Sequence, residues 1–184
     1  MGALRPSTIF NLTREKNSFI LWCFFLQKRV YSFSMEELLT IYTDGGCSGN
    51  PGPGGWGCVI IDGGNVTKLS GGEKATTNNR MELSAAIAAL DAAVKNNDWR
   101  TRKIEVYSDS QYVKNGITSW IKNWKKNGWK TAAKKPVLNQ DLWIALDELY
   151  GQLNIEWKWV KGHAGVEYNE ICDQLCKMEM GKFL

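Results

Sequence analysis

A chain of 184 residues, 43% hydrophobic and 23% charged, is long enough for one domain with a sizeable core and has the makeup of a soluble globular protein. The net charge of +4 is unevenly placed: Gln111–Gln140 carries seven lysines and no acid, +7 in all, which leaves −3 for the remainder and suggests a polyanionic partner over a plain solvated helix face. Five cysteines, at 23, 47, 58, 172 and 176, are odd in number and lack a C-x-x-C spacing, which argues against a disulfide framework or a zinc site and fits a reducing cytoplasm.

In chain order, residues 1–34 stand apart. Their apolar run Phe19–Leu26 is far short of the ~20 residues that span a bilayer, and no A-x-A-like cleavage site follows it. They are read as an N-terminal appendage, disordered or an over-extended start, with residues 35–184 as the folded domain and no membrane association. Residues 38–43 form a first strand. The run Gly45–Gly55 has turn chemistry throughout, and a second strand follows over Gly54–Ile61. Asp62-Gly63-Gly64-Asn65 is a hairpin signal that leads to a third strand near Thr67–Ser70. Leu83, Ile87, Leu90 and Val94 repeat at 4, 3 and 4, which predicts a helix over 80–95 with Asn79 as N-cap and Glu82 three residues on. A fourth strand covers Lys103–Tyr107, a basic tryptophan-rich helical stretch 111–127, and a loop Gly128–Pro136. A helix over 139–150 has Leu142, Leu146 and Leu149 inward, and a fifth strand runs over Ile155–Val160. A loop 161–165 precedes a last helix at 167–179, with Cys172 and Cys176 as small core residues. The first three strands form a meander, and the later ones need helical crossovers and lie parallel to the first. The expected fold is therefore α/β: a mixed five-stranded sheet with helices on both faces.

Two strands end in an acid, at Asp44 and Asp109, where ligands bind in open α/β sheets. If the strands are neighbours, both acids reach one divalent cation. Each candidate has a plain alternative. Asp44-Gly45 is a common turn start, Asp109 can N-cap the next helix, and Glu82 can close a capping box with Asn79. Asp173 lies off the stripe of Tyr168, Cys172 and Leu175 and reads by default as a solvated surface acid. His163, the lone histidine, sits in a loop between glycines.

Taken together, the motifs are more specific. Tyr42-Thr43-Asp44-Gly45, Gly49–Gly55, Thr76–Leu83, Ser108–Val113, Trp124–Lys130, Lys134–Val137 and Trp159–Gly165, followed by Cys172-Asp173, fall in order from about 38 to 177 and resemble a bacterial type 1 ribonuclease H. The resemblance implies an endonuclease that hydrolyses the RNA strand of RNA–DNA hybrids with two Mg²⁺ ions (Mn²⁺ as a substitute), leaving 5′-phosphate and 3′-hydroxyl ends. It makes Asp44, Glu82, Asp109 and Asp173 the metal-binding carboxylates and His163 a mobile-loop residue for proton transfer or product release. It places Asn50, Asn78 and Gln111 on RNA 2′-hydroxyls, Tyr112 and Trp120 along the DNA strand, and Thr77 and Asn139 at a DNA phosphate. Lys125, Lys126, Lys134 and Lys135 would lie on a basic handle.

Elementary chemistry agrees with that assignment. Two carboxylates ~4 Å apart repel by about 4 kcal/mol at an effective dielectric near 20, so converging acids call for cations, and all-oxygen ligands suit Mg²⁺ or Mn²⁺. Amide side chains both donate and accept, as a 2′-hydroxyl demands. The competing readings are a non-catalytic hybrid-binding module of the same fold, which would lack an acid, and a nuclease acting on DNA alone, which would not need the amides. A monomer is expected.

Overall fold

The computed structural model describes residues 38–184; the reading of residues 1–34 as an appendage falls outside that range. Five strands, β1 (Leu38–Cys47), β2 (Gly52–Asp62), β3 (Asn65–Thr76), β4 (Lys103–Ser108) and β5 (Asn154–Trp159), form one sheet in the order β3-β2-β1-β4-β5. β1–β2 and β2–β3 are antiparallel, and β1–β4 and β4–β5 are parallel. This is the expected meander extended by crossovers. Its helices are α1 (Asn78–Lys95), the single turn α2 (Asn97–Arg100), α3 (Gln111–Asn115), a π-helical turn (Gly116–Trp120), α4 (Ile121–Lys126), α5 (Gln140–Tyr150) and α6 (Glu167–Gly181).

Alternation along β1 sorts the two faces. Leu39, Ile41 and Thr43 are buried with α1, while Tyr42 points the other way, stacked on Tyr107 at 4.8 Å and beside Tyr168 of α6 at 5.7 Å. The main core is built from Leu39, Ile41, Ile60, Ile104 and Val106 of the sheet with Leu83, Leu90, Trp143 and Leu146. Alanines 86, 89 and 93 of α1 are fully buried, so this helix approaches the sheet on small side chains, and its contact stripe is wider than the Leu-Ile-Leu-Val repeat. On the opposite face Cys172 and Cys176 are buried as expected. Their thiols donate to the carbonyls of Tyr42 (3.4 Å) and Gly55 (3.0 Å), and burial pushes both upward in pKa, Cys176 to about 12.

Several elements differ from expectation. β1 does not end at Thr43 but runs on through Asp44 to Cys47, because β2 pairs with it there. β2 begins at Gly52 and not at Gly54, because Gly52, whose composition reads as turn, pairs with Thr76 of β3; Gly54 and Gly55 pair with Cys47 and Gly46 of β1. β3 is far longer than residues 67–70, since its polar residues lie on an exposed edge strand that carries no apolar alternation. α1 starts at Asn78 with Thr77, not Asn79, as N-cap; Thr77 Oγ1 accepts from Arg80 N at 3.4 Å, so no capping box ties up Glu82. The stretch 111–127 is broken by the π-helical turn at Gly116, where any Cβ would run into the Trp143 indole. Trp143, fully buried, is the main anchor of α5, where only leucines were expected to point inward.

Candidate active site

Register brings the first two acids together. Thr43 pairs with Ser108 as the last step of the parallel β1–β4 ladder, so Asp44, within β1, and Asp109, just past β4, follow side by side where that ladder ends. Glu82 comes from α1. A Cβ at Gly45 would overlap the Met81–Glu82 backbone, so only glycine lets that helix turn rest on the strand end. One carboxylate oxygen each from Asp44, Glu82 and Asp109 then falls within 4.8 Å of the others.

Asp173 is set slightly apart. It groups within the same distance limit, 4.8 Å, with His163 and Glu170. Asp44, Glu82 and Asp109 line one cavity of about 440 Å³ with Asp173 and His163 of the second group, together with Gly45, Gly46, Cys47, Asn78 and Lys177. Asp173 is therefore no solvated surface acid: its side chain is 15% exposed and faces this cavity, because the stripe residues Cys172 and Cys176 on either side of it turn α6 onto the sheet.

The electrostatics mark the cluster as uncompensated. Burial, then the Asp109 charge, pushes Asp44 up to about 7 despite a 2.8 Å hydrogen bond from Gly45 N. Burial, then the charges of Asp44 and Asp109, pushes Glu82 well above its ordinary value. Glu82 Oε2 is buried without a hydrogen-bond partner. An orphaned carboxylate oxygen beside two more carboxylates is an all-oxygen donor set for a hard divalent cation, so the residues present fit Mg²⁺ or Mn²⁺.

Asp109 is fixed from three sides. Trp159 Nε1 donates to its carbonyl at 3.1 Å, Asn169 Nδ2 donates to its Oδ2 at 3.4 Å, and a Cβ on Gly162 would lie 2.5 Å from Oδ2. The loop carrying His163 thus rests directly on Asp109. His163 itself is exposed and held at φ 52, a left-handed conformation that a non-glycine residue seldom adopts. Asn169, Glu170 and Trp159 were not among the expected site residues. Asn169 and Glu170 lie four and three positions before Asp173 on one helix, a spacing that points to them once Asp173 is accepted.

The expected substrate residues split into groups. Asn50 and Asn78 are adjacent, with Asn78 N donating to Asn50 Oδ1 at 3.3 Å, and Asn78 lines the acidic cavity. Gln111 opens α3, exposed, and accepts from Asn115. Thr77 Oγ1 is engaged as the α1 cap. Tyr112 Oη accepts from Asn139 Nδ2 (3.2 Å) and Trp143 Nε1 (3.1 Å), which commits both its acceptor sites and leaves its own proton to donate outward. Asn139, at φ 57, makes no side-chain cap bond to α5. Tyr112, Trp120, Trp124 and Trp143 form an aromatic chain with successive ring centroids 5–6 Å apart, Trp120 to Trp124 being 5.8 Å. A second cavity of about 270 Å³ opens on this chain, lined by Trp120, Asn123, Trp124, Asn127, Lys130 and Ala132. Lys125 is bound to Asp147 of α5 at 2.5 Å, whereas Lys126, Lys134 and Lys135 are exposed and make no ion pair among the described residues.

A five-stranded mixed sheet with acids side by side on two neighbouring strands where their parallel ladder ends, a helix-borne glutamate beside them and a basic, aromatic surface alongside defines a metal-dependent enzyme of nucleic-acid phosphodiester chemistry. The RNase H family model matches residues 36–180, and the chain belongs to that family. It is 58% identical over 139 residues to a ribonuclease H of Rhodopseudomonas palustris (strain HaA2), covering 76% of this chain and 83% of that one. It is 56% identical over 146 residues to one of Hydrogenovibrio crunogenus, covering 79% and 97%. Among solved structures, LC9-RNase H1, a type 1 RNase H with the type 2 active-site motif, superposes with TM-score 0.70 at 31% identity over 80% of this chain and 74% of that one. LC11-RNase H1 in complex with an RNA/DNA hybrid superposes with TM-score 0.59 at 28% identity over 78% and 97%.

Proposed function

We propose that this ribonuclease H cleaves the RNA strand of RNA–DNA hybrids endonucleolytically, with Mg²⁺ as its ion, leaving 5′-phosphate and 3′-hydroxyl ends. The observation that carries the reading is the convergence of Asp44, Glu82 and Asp109 with a buried, unpartnered Glu82 oxygen. These three carboxylates would hold one cation, and Asp173 across the same cavity would share in holding a second. When bound, two divalent cations supply activation of the attacking water and neutralise charge on the leaving oxygen. The chain's own groups do the rest. Asn169 and Trp159 hold Asp109 in place. His163, exposed over the cavity, offers an imidazole for proton transfer or product release. Asn50, Asn78 and Gln111 read 2′-hydroxyls of the RNA strand, which pure DNA lacks.

The outward proton of Tyr112 and the Asn139 amide would take a DNA phosphate, a role Thr77 would share, and the Trp120–Trp124 cavity would take the DNA strand. Lys126, Lys134 and Lys135 would add sequence-independent phosphate attraction; Lys125 contributes less, since Asp147 already neutralises it. The four described cysteines are unpaired, in keeping with a cytoplasmic location, and no described helix is long and apolar enough to cross a membrane.

The test is a strand-labelled RNA–DNA hybrid with Mg²⁺, beside RNA duplex, DNA duplex and an EDTA control. Cutting confined to the hybrid's RNA strand and abolished by EDTA is expected. Tight hybrid binding without cutting would favour the binding module, and cutting of the DNA duplex would favour the DNA nuclease.

A further inference from the structure

The acidic cavity contains a cation of the chain's own. Lys177 lies one helical turn beyond Asp173 on α6, and its Nζ stands 2.5 Å from Asp173 Oδ2. Both line the cavity with Asp44, Glu82 and Asp109, and Lys177 is the one lysine or arginine among the lining residues. The lysine is 65% exposed and the acid 15%, so a mobile ammonium reaches in from solvent to a carboxylate fixed in the wall. The surrounding field also acts on it: Asp173 first, with Asp44 and Glu170 behind, holds the Lys177 pKa above its ordinary value.

An aspartate and a lysine four apart on a helix are often only a modest surface pair. Asp91 and Lys95 on α1 have the same spacing and a 2.6 Å contact. Asp91, however, is 43% exposed, whereas Asp173 is largely covered and lies within 4.8 Å of His163 and Glu170. A pair on an open helix face neutralises nothing else. A pair in a cavity with three other carboxylates occupies a ligand.

We propose that Lys177 is a tethered counter-ion that competes with a divalent cation for Asp173 and so sets the metal affinity of the site. The proposal rests on the metal-dependent reading above. An arriving cation must take Asp173 Oδ2 from the ammonium and then bear repulsion from a positive charge that its stem keeps close by. The ammonium gives up little in leaving, because its stem is exposed and water can solvate it. The expected consequence is a site that holds its cations loosely in the absence of substrate and remains stable when they are gone.

The experiment is calorimetric titration of the folded protein with Mn²⁺ and with Mg²⁺, without nucleic acid, for wild type, Lys177→Met, Lys177→Gln, Lys177→Arg and Lys95→Met. Lys177→Met keeps the stem and removes the charge. It should bind on the order of fivefold more tightly, the size expected for removing one screened unit charge near a dication, and the gap should narrow as salt rises. Lys177→Gln should do the same, Lys177→Arg should keep the weaker wild-type affinity, and Lys95→Met should match wild type. Equal or weaker binding by both neutral variants, with wild type binding normally, would overturn the counter-ion role alone. Equal tightening by Lys95→Met would reduce it to a net-charge effect and overturn it as well. No divalent cation binding by wild type would overturn the parent reading.

Discussion

Asp44→Asn separates the cost of the carboxylate cluster from its use. In the metal-free fold Asp44 is raised from 3.8 to about 7, chiefly by burial and then by Asp109. An acid raised in this way keeps its proton in the folded state between those values, while the unfolded chain has already lost it. Folded stability is therefore whole at low pH and falls as pH rises, with the penalty complete above about 7. A shift of roughly three units corresponds to a ceiling of about 4 kcal/mol. Because Glu82 and Asp109 can adjust when their neighbour loses its charge, the expected gain from asparagine is roughly 1–3 kcal/mol at pH 8 in EDTA, shrinking to about two-fifths of that, roughly 0.4–1.2 kcal/mol, at pH 5. Acids that are lowered instead, such as Asp62 beside Trp99 and Arg102, act below about pH 4.5 and leave this window clear. Urea titrations at the two pH values measure the difference. Adding Mg²⁺ should stabilise wild type by mass action and the variant much less, while hybrid cleavage by the variant falls on the order of 10²–10³-fold or more. A variant that gains nothing at pH 8, or gains equally at both pH values, would refute the argument and make Asp44 a structural acid.

Gly162→Ala puts a methyl 2.5 Å from Asp109 Oδ2, so kcat should fall at least tenfold, a positioning loss, while the hybrid KM and the melting temperature stay close to wild type; an unchanged kcat would show that the loop yields. Neutralising Lys126, Lys134 and Lys135 together should raise KM more than it lowers kcat and reduce the slope of log K against log salt by about 0.7–0.9 for each phosphate no longer neutralised, whereas Lys125→Ala alone should do little to binding; a KM unmoved by the triple change would remove the handle role. Trp143→Ala should cost about 3–5 kcal/mol in urea unfolding, because the indole is fully buried against Gly116 and its Nε1 also serves Tyr112; a loss below about 1 kcal/mol would contradict its place as the anchor of α5.

The sequence by itself determined the order of the strands and of the longer helices, the meander and crossovers of the sheet, and which four acids to look for. Those features depend on local periodicity, on strand-end placement and on motifs contiguous in the chain. The glycine and edge-strand boundaries were misjudged for a related reason. Gly52–Gly55 has the composition of a turn, and only the backbone partners supplied by β1 and β3 make it a strand. The α1 cap moved from Asn79 to Thr77 because Thr76-Thr77-Asn78-Asn79 is a run of polar residues that offer comparable caps until the chain direction entering the helix is known.

The tertiary structure alone decided which charges meet. β1 and β4 being neighbours put Asp44 beside Asp109, and Gly45 let Glu82 in. The packing of Cys172 and Cys176 turned Asp173 from the solvent toward His163 and Glu170. The same geometry bound Lys125 to Asp147, and it set the local pair of Asp173 and Lys177, four apart on one helix, into the acidic cavity and not on an open face. A side chain's type is written in the sequence, but its charge state, its burial and its partner depend on distances between residues that are far apart along the chain, and those distances exist only once the sheet has closed on its helices.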